Sequence, residues 1–177
     1  DGRGGQRQFV AATRPGAGVE GGIISSMQSC LALGREVAPE NFHITLLFLG
    51  NVSYQTIDCL RDSISNLRLN PFAMRLDRLG YFDKTKIFWL GPSQVPSELE
   101  YLFKTVRQQA QRCGITQLNK KYVPHVTLLR KCDGLYSDPD FTPIDWQIDE
   151  FHLVESRMER DSGHYYTVDS FPLMNHL

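Results

Sequence analysis

"HITLLFLG" occupies His43 to Gly50, and "PHVTLLRK" occupies Pro124 to Lys131. The chain thus writes His-x-Thr-Leu-Leu twice, each time in a run otherwise rich in strand-forming apolar residues. In a strand, residues two apart share a face. His43 and Thr45 therefore project together, as do His125 and Thr127, while Ile44, Leu46, Val126 and Leu128 turn to the core. A lone histidine in an apolar strand is ordinarily a core residue bonded to backbone. Independent packing gives no reason to repeat the whole pattern, so the repeat points to one site built from both copies.

If the two halves meet with approximate two-fold symmetry, the His-Thr pairs face each other across a groove. Two opposed imidazoles suit in-line phosphoryl chemistry: a neutral one accepts a proton from the attacking oxygen, and a protonated one gives a proton to the departing oxygen. Threonine hydroxyls donate to the non-bridging phosphate oxygens, and nearby cations offset their charge. This chemistry requires no metal. The near symmetry of the copies leaves open which histidine is the acid.

The rest of the chain supplies a frame for the motifs. "RQFVAAT" (Arg7 to Thr13) reads as a strand. A glycine-weakened helical pattern follows, with Ile23, Ile24, Met27 and Leu31 on one side. Ser53 is a plausible N-cap for an amphipathic helix carrying Ile57, Leu60, Ile64 and Leu67. Strands are expected at Phe72 to Leu76, Arg78 to Phe82 and Lys86 to Leu90, with "DKT" turning between the last two. Ser97 caps a second helix, with Leu99, Leu102, Phe103, Val106 and Ala110 on its apolar side and Gly114 at its end. The remaining strands are Tyr122 to Arg130, Trp146 to Glu155 and His164 to Phe171. Residues 1–6, "DGRGGQ", read as a disordered tail or expression remnant, and 7–177 as one two-lobed domain. The class is α+β: mostly antiparallel sheets, duplicated by a pseudo-two-fold, lining a central cleft with helices outside.

Composition narrows the partners. Hydrophobic and charged residues make up 41% and 22% of the chain, as in a globular protein. No apolar run approaches a membrane span. The net charge of −1 gives no global field for long nucleic acid, so a nucleic-acid ligand is a terminus or a small fragment. Cys30, Cys59, Cys113 and Cys132 form no close pair. They read as reduced thiols, which with the absence of a signal peptide predicts a cytoplasmic protein.

The chain resembles the two-histidine phosphoesterase superfamily, and within it the LigT-like RNA 2′,3′-cyclic phosphodiesterases, also called 2′-5′ RNA ligases. "RQFVA", "ENFHITLLFLG", "IFWLG" (Ile87 to Gly91), "PHVTLLR" and "FHLVESR" (Phe151 to Arg157) carry the likeness. The resemblance implies a bilobal fold with neither metal nor cofactor. It implies His43 as proton donor, His125 as proton acceptor, and Thr45 and Thr127 holding the phosphate. The expected reaction is hydrolysis of a 2′,3′-cyclic phosphate at an RNA or nucleotide end to a 2′-phosphomonoester, reversible as 2′-5′ ligation. Aligning the copies sets Phe48 against Arg130, two surfaces on which a nucleobase stacks. Strict alternation puts both on the face away from the histidines, so the reading needs the strands to end or twist there.

Rival readings are a 2′-5′ oligonucleotide phosphodiesterase and a non-catalytic module that binds nucleotides or RNA ends. A zinc site from His43, His125 and a carboxylate such as Glu40 lacks helix or knuckle spacing. His152 could line the cleft wall but reads first as a satisfied structural histidine. Among His164, Tyr165 and Tyr166 a tyrosine could contact substrate, strand packing being the default. Trp89 and Trp146 read as core or inter-lobe packing. A monomer acting on RNA termini or small nucleotides, away from membranes, is the expected state.

Overall fold

The computed structural model describes residues 7–27, 33–116, 118, 121–134, 140–159 and 162–174. The 1–6 tail, Cys30, Leu31, Lys120 and His176 lie outside the described residues. Among the described residues ten strands are formed: β1 (Gln8–Thr13), β2 (Arg35–Glu36), β3 (Ile44–Gly50), β4 (Phe72–Leu76), β5 (Arg78–Phe82), β6 (Ile87–Gly91), β7 (Val126–Arg130), β8 (Ile144–Ile148), β9 (Glu150–Glu159) and β10 (Ser162–Pro172). Three α-helices accompany them: α1 (Ala17–Met27), α2 (Tyr54–Ile64) and α3 (Ser97–Arg112).

An eight-stranded antiparallel sheet runs β10-β9-β1-β3-β7-β6-β5, with β2 also on β7; β4 and β8 form a separate ribbon. The large sheet divides at its middle. β3 and β7, the two motif strands, pair only at Ile44 and Val126. Each of these residues directly follows its motif histidine. Four strands lie on one side of this seam (β10, β9, β1, β3) and four on the other (β7, β6, β5, β2). The α+β class with mostly antiparallel strands is the one the sequence predicts.

α3 packs against β3 and α2 against α3, while α1 packs against β8 of the ribbon. Ser53 caps α2 by accepting from the Thr56 N–H at 3.1 Å, and Ile57, Leu60 and Ile64 are buried. Each such side chain contributes roughly 1.5–3 kcal/mol by leaving water. α3 buries Leu99, Leu102, Phe103, Val106 and Ala110, the five expected from periodicity, and the chain leaves it through Gly114 at φ +90°.

Three expectations need correction. The cap of α3 is Pro96, with no side-chain bond, so Ser97 is the first helical residue. The single strand expected from Trp146 to Glu155 is two strands in two sheets. Consecutive exposed acids, Asp149 and Glu150, break the alternation. β8 has one buried face, whereas Phe151 to Glu155 in β9 are covered on both. The cysteines are not all reduced thiols: Cys59 of α2 and Cys113 at the end of α3 form a disulfide across 54 residues, and Cys132 is a buried free thiol. Their separation in sequence gave no spacing signal. Among the described residues no helix is long and apolar enough to cross a membrane.

Candidate active site

Both motif histidines sit one residue before their strands, and the same local bond fixes each ring. His43 Nδ1 lies 2.7 Å from the Asn41 carbonyl, and His125 Nδ1 lies 2.7 Å from the Val123 carbonyl. A carbonyl only accepts, so Nδ1 carries the proton in both neutral rings and leaves Nε2 as the reactive nitrogen. His43 Nε2 is 3.0 Å from the Thr45 hydroxyl.

The strand register explains how Phe48 and Arg130 reach the same face. Against β1, Ala12 pairs with Thr45 but Val10 pairs with Phe48: two residues on one strand answer three on the other. Against β6, Trp89 pairs with Thr127 while the next residue, Phe88, pairs with Leu129. Each motif strand therefore carries a β-bulge at its Leu-Leu, which shifts the alternation by one residue. Both leucines of each copy are buried, at 2% and 3% for Leu46 and Leu47 and 1% and 0% for Leu128 and Leu129. Phe48 and Arg130 return to the side of the histidines, and Phe48 is 50% exposed. The repeated Leu-Leu is thus the sequence mark of the bulge.

His43, Thr45, Phe48, His125, Thr127 and Arg130 all line one cleft of ≈ 340 Å³ over the seam of the sheet. Gln8, Val10, Ile87, Ser156 and Tyr165 complete its wall. The antiparallel rung at Ile44 and Val126 puts Thr127 and Arg130 toward the His43 end, and Thr45 and Phe48 toward the His125 end. Among the described residues no three His, Cys, Asp or Glu side chains are grouped to hold a metal.

The two histidines differ in surroundings. Tyr165 packs against the His43 ring with centroids 4.7 Å apart. The turn before His43, Pro39–Asn41, is tied to β10: the Asn41 amide donates to the Gly163 carbonyl at 2.9 Å, and its oxygen accepts from the Tyr165 N–H at 3.4 Å. Arg14 bridges the same segments, donating to the Thr167 hydroxyl at 2.8 Å and to the Glu40 carbonyl. His125 is instead walled by Phe82 at 5.0 Å and Trp89 at 5.9 Å.

Burial pushes the His43 pKa down to about 4, against the bond to the Asn41 carbonyl, and the charges of Arg130, Arg14 and His125 lower it further. His125 is also lowered, by burial first and by Arg130, against the Val123 bond. Both rings are neutral at pH 7 in the empty cleft, and a bound phosphodiester anion opposes the arginine fields.

Trp89, read from sequence as core or inter-lobe packing, is buried and packs beside the His125 ring. It seats itself over Gly80, where a Cβ would stand 2.1 Å from the indole. Gly80→Ala must displace the ring, at an expected cost of about 1–3 kcal/mol for overpacking. Thermal unfolding and indole fluorescence check this, and turnover is expected to fall with the shift of His125. His152 is not part of the cleft: it is buried in β9, with Nδ1 3.0 Å from the Ser170 hydroxyl and Nε2 3.6 Å from a Glu150 oxygen. Tyr165, by contrast, does reach the cleft. Gln8, Arg14, Asn41 and Ser156 were not singled out by the sequence reading. Only their positions opposite the motif in the folded sheet mark them.

The chain is similar to several known proteins. The RNA 2′,3′-cyclic phosphodiesterase of Escherichia coli is 35% identical over 134 residues, covering 75% of this chain and 76% of that protein. The protein of the same name from Thermotoga maritima is 32% identical over 133 residues, covering 69% and 70%. The crystal structure of E. coli LigT in apo form superposes with a TM-score of 0.88 at 29% identity, over 97% of this chain and 99% of that one. The complex of E. coli LigT with 3′-AMP gives 0.86 at 28% identity over the same shares. Residues 26–160, which include both motif copies, match the profile of the 2′-5′ RNA ligase superfamily, and the chain belongs to that family.

Proposed function

We propose that this protein is a metal-independent phosphodiesterase that opens 2′,3′-cyclic phosphates at RNA or nucleotide ends, leaving a 2′-phosphomonoester. One observation carries the reading: two imidazoles, each with Nδ1 engaged by the carbonyl two residues back, share one cleft with two threonines and an arginine. The names of the relatives support the substrate class.

His125 Nε2 takes a proton from water as its oxygen bonds to phosphorus. The P–O3′ bond breaks, and His43 gives its proton to O3′, leaving the phosphate on O2′. Thr45 and Thr127 donate to the non-bridging oxygens, and Arg130 offsets their charge. Phe48 and Arg130 offer stacking surfaces to the base. With a 5′-hydroxyl attacking phosphorus in place of water, the P–O3′ bond breaks in the same way, His125 takes the hydroxyl proton and His43 protonates O3′, leaving a 2′-5′ linkage. Both motif copies lie within residues 7–177, which act as a single catalytic domain.

The test is hydrolysis of a nucleoside 2′,3′-cyclic phosphate in excess EDTA, with products resolved as 2′ or 3′ monophosphate. Turnover yielding the 2′ isomer is expected. A folded protein that binds the nucleotide without turning it over sinks the reading and favours the binding-module alternative. The pH profile gives a second check. The working pair holds one proton, and both histidines lie below their ordinary range. The singly protonated fraction therefore falls as pH rises, and kcat/KM is expected to drop about tenfold per unit on the alkaline side. Arg130→Gln removes a positive charge acting on both rings and should move that limb to higher pH while raising KM. A profile flat from pH 6 to 9 contradicts the assignment.

We place the protein in the cytoplasm, where RNA cleavage supplies such ends. The Cys59–Cys113 bond pulls the other way, since cytosolic glutathione and thioredoxin keep thiols reduced. Thiol alkylation at lysis decides: a pair already crosslinked in the cell overturns the placement.

A further inference from the structure

The two motif copies are alike in sequence, yet the carbonyls that hold their histidines are supported in different ways. The peptide before His43 is pinned from outside at two successive residues. Arg14, just past the end of β1, spreads its guanidinium between two segments. One nitrogen donates to the Glu40 carbonyl, and the other to the Thr167 hydroxyl of β10 at 2.8 Å. The Asn41 side chain ties the next residue to the Gly163 carbonyl and the Tyr165 N–H. Among the described residues the matching segment before His125, residues 121–124, carries no such tie; there the ring is braced by Phe82 and Trp89. We propose that Arg14, seconded by the Asn41 side chain, is a positioning residue for the reaction: it clamps the 39–41 turn between β1 and β10 and so holds the carbonyl that fixes the His43 ring. The proposal rests on His43 acting as the acid, as set out above, and adds the device that keeps it in place.

The turn needs such a device. None of Pro39, Glu40 and Asn41 is buried, so packing does not hold it, and hydrogen bonds to neighbouring segments must. What it holds is exacting. Burial disfavours the charged form of His43, and the Asn41 carbonyl favours it by accepting from Nδ1–H. An acid in this setting depends on that one bond, both to carry its second proton and to keep Nε2 aimed at the departing oxygen. If the carbonyl swings away, the neutral ring is free to move its proton from Nδ1 to Nε2 and to turn. Both acceptors of Arg14 are neutral, so the residue acts here by geometry: a planar fork bridges two fixed points where a flexible ammonium does not. Its charge also bears on His43, alongside those of Arg130 and His125, and the test has to separate the two effects.

In Arg14→Met and Asn41→Ala, kcat toward a nucleoside 2′,3′-cyclic phosphate is expected to fall by about tenfold to a hundredfold, with KM little changed. Placed in a His43→Ala background, the same substitutions should cost nothing further, because the group they position is gone. Arg14→Lys keeps the charge without the fork and should fall with Arg14→Met. Imidazole ¹⁵N spectra of the free protein give a readout apart from turnover: wild type holds the His43 proton on Nδ1, and Arg14→Met mixes the two tautomers while His125 is unchanged. Thr167→Val, at an exposed strand position that valine suits, leaves the fold intact and should show the same changes in smaller measure. Wild-type kcat in Arg14→Met, an equal fractional loss in the His43→Ala background, full activity in Arg14→Lys, or an unmixed Nδ1–H tautomer in every variant overturns the clamp. Absence of turnover in wild type removes the underlying function instead, and the spectra still decide whether the clamp sets the ring.

Discussion

Alanine at His43 or at His125 lowers kcat toward a 2′,3′-cyclic phosphate by about 10²–10⁴-fold, the usual worth of general acid or base help. KM changes far less, because each imidazole strengthens its interaction only as the proton moves. The effects should not multiply: once one partner is lost the other has no complementary step to serve, so the double variant sits near the worse single one. The two variants should also differ in pH dependence. Without His43 the profile keeps only the limb of the remaining base, rising with pH as His125 loses its proton. Without His125 it keeps only the limb of the acid, falling with pH. Steady-state rates from pH 5 to 9 read this directly, with a thermal melt to confirm folding. A variant within tenfold of wild type at all pH values removes that histidine from the chemistry.

Loss of the Cys59–Cys113 crosslink is the second large effect. The bond closes a loop of 54 residues, and the chain-entropy description gives about 4 kcal/mol for a loop of that length. For a chain of this size such a loss corresponds to a fall in Tm of about 8–16 °C. Cys59→Ala, Cys113→Ala and reduced wild type should agree in Tm. The bond joins α2 to the end of α3 and neither cysteine lines the cleft, so kcat below the new Tm should be unchanged. A Tm insensitive to reductant, with the pair shown oxidised beforehand, contradicts the predicted stabilisation.

The two histidines and two threonines of the cleft are legible in the sequence because a local pattern carries them. His-x-Thr fixes a shared face within one strand, and its repetition brings the strand to a second copy. The helices are legible for the same reason, their apolar spacing being confined to three or four turns. Phe48 and Arg130 mark the limit of local reading. Alternation puts them on the wrong face, and only the cross-strand register with β1 and β6 discloses the bulge that turns them back. Arg14 and Tyr165 approach His43 from separate segments, so no spacing links them to it. The disulfide is hidden in the same way, and Trp89 looks like any buried aromatic until Gly80 and His125 are seen on either side of it.

A seam one rung wide has a mechanical meaning. If one half of the sheet turns slightly on the other about the Ile44–Val126 rung, each residue moves in proportion to its distance from that fulcrum. His43 and His125 lie one residue away and scarcely shift. Phe48 and Arg130 lie about three times as far out, at opposite ends of the lever, and take up most of the movement. The cleft is thereby stiff around its two imidazoles and compliant at Phe48 and Arg130, so one frame can adjust its outer surfaces without moving the histidines at its centre.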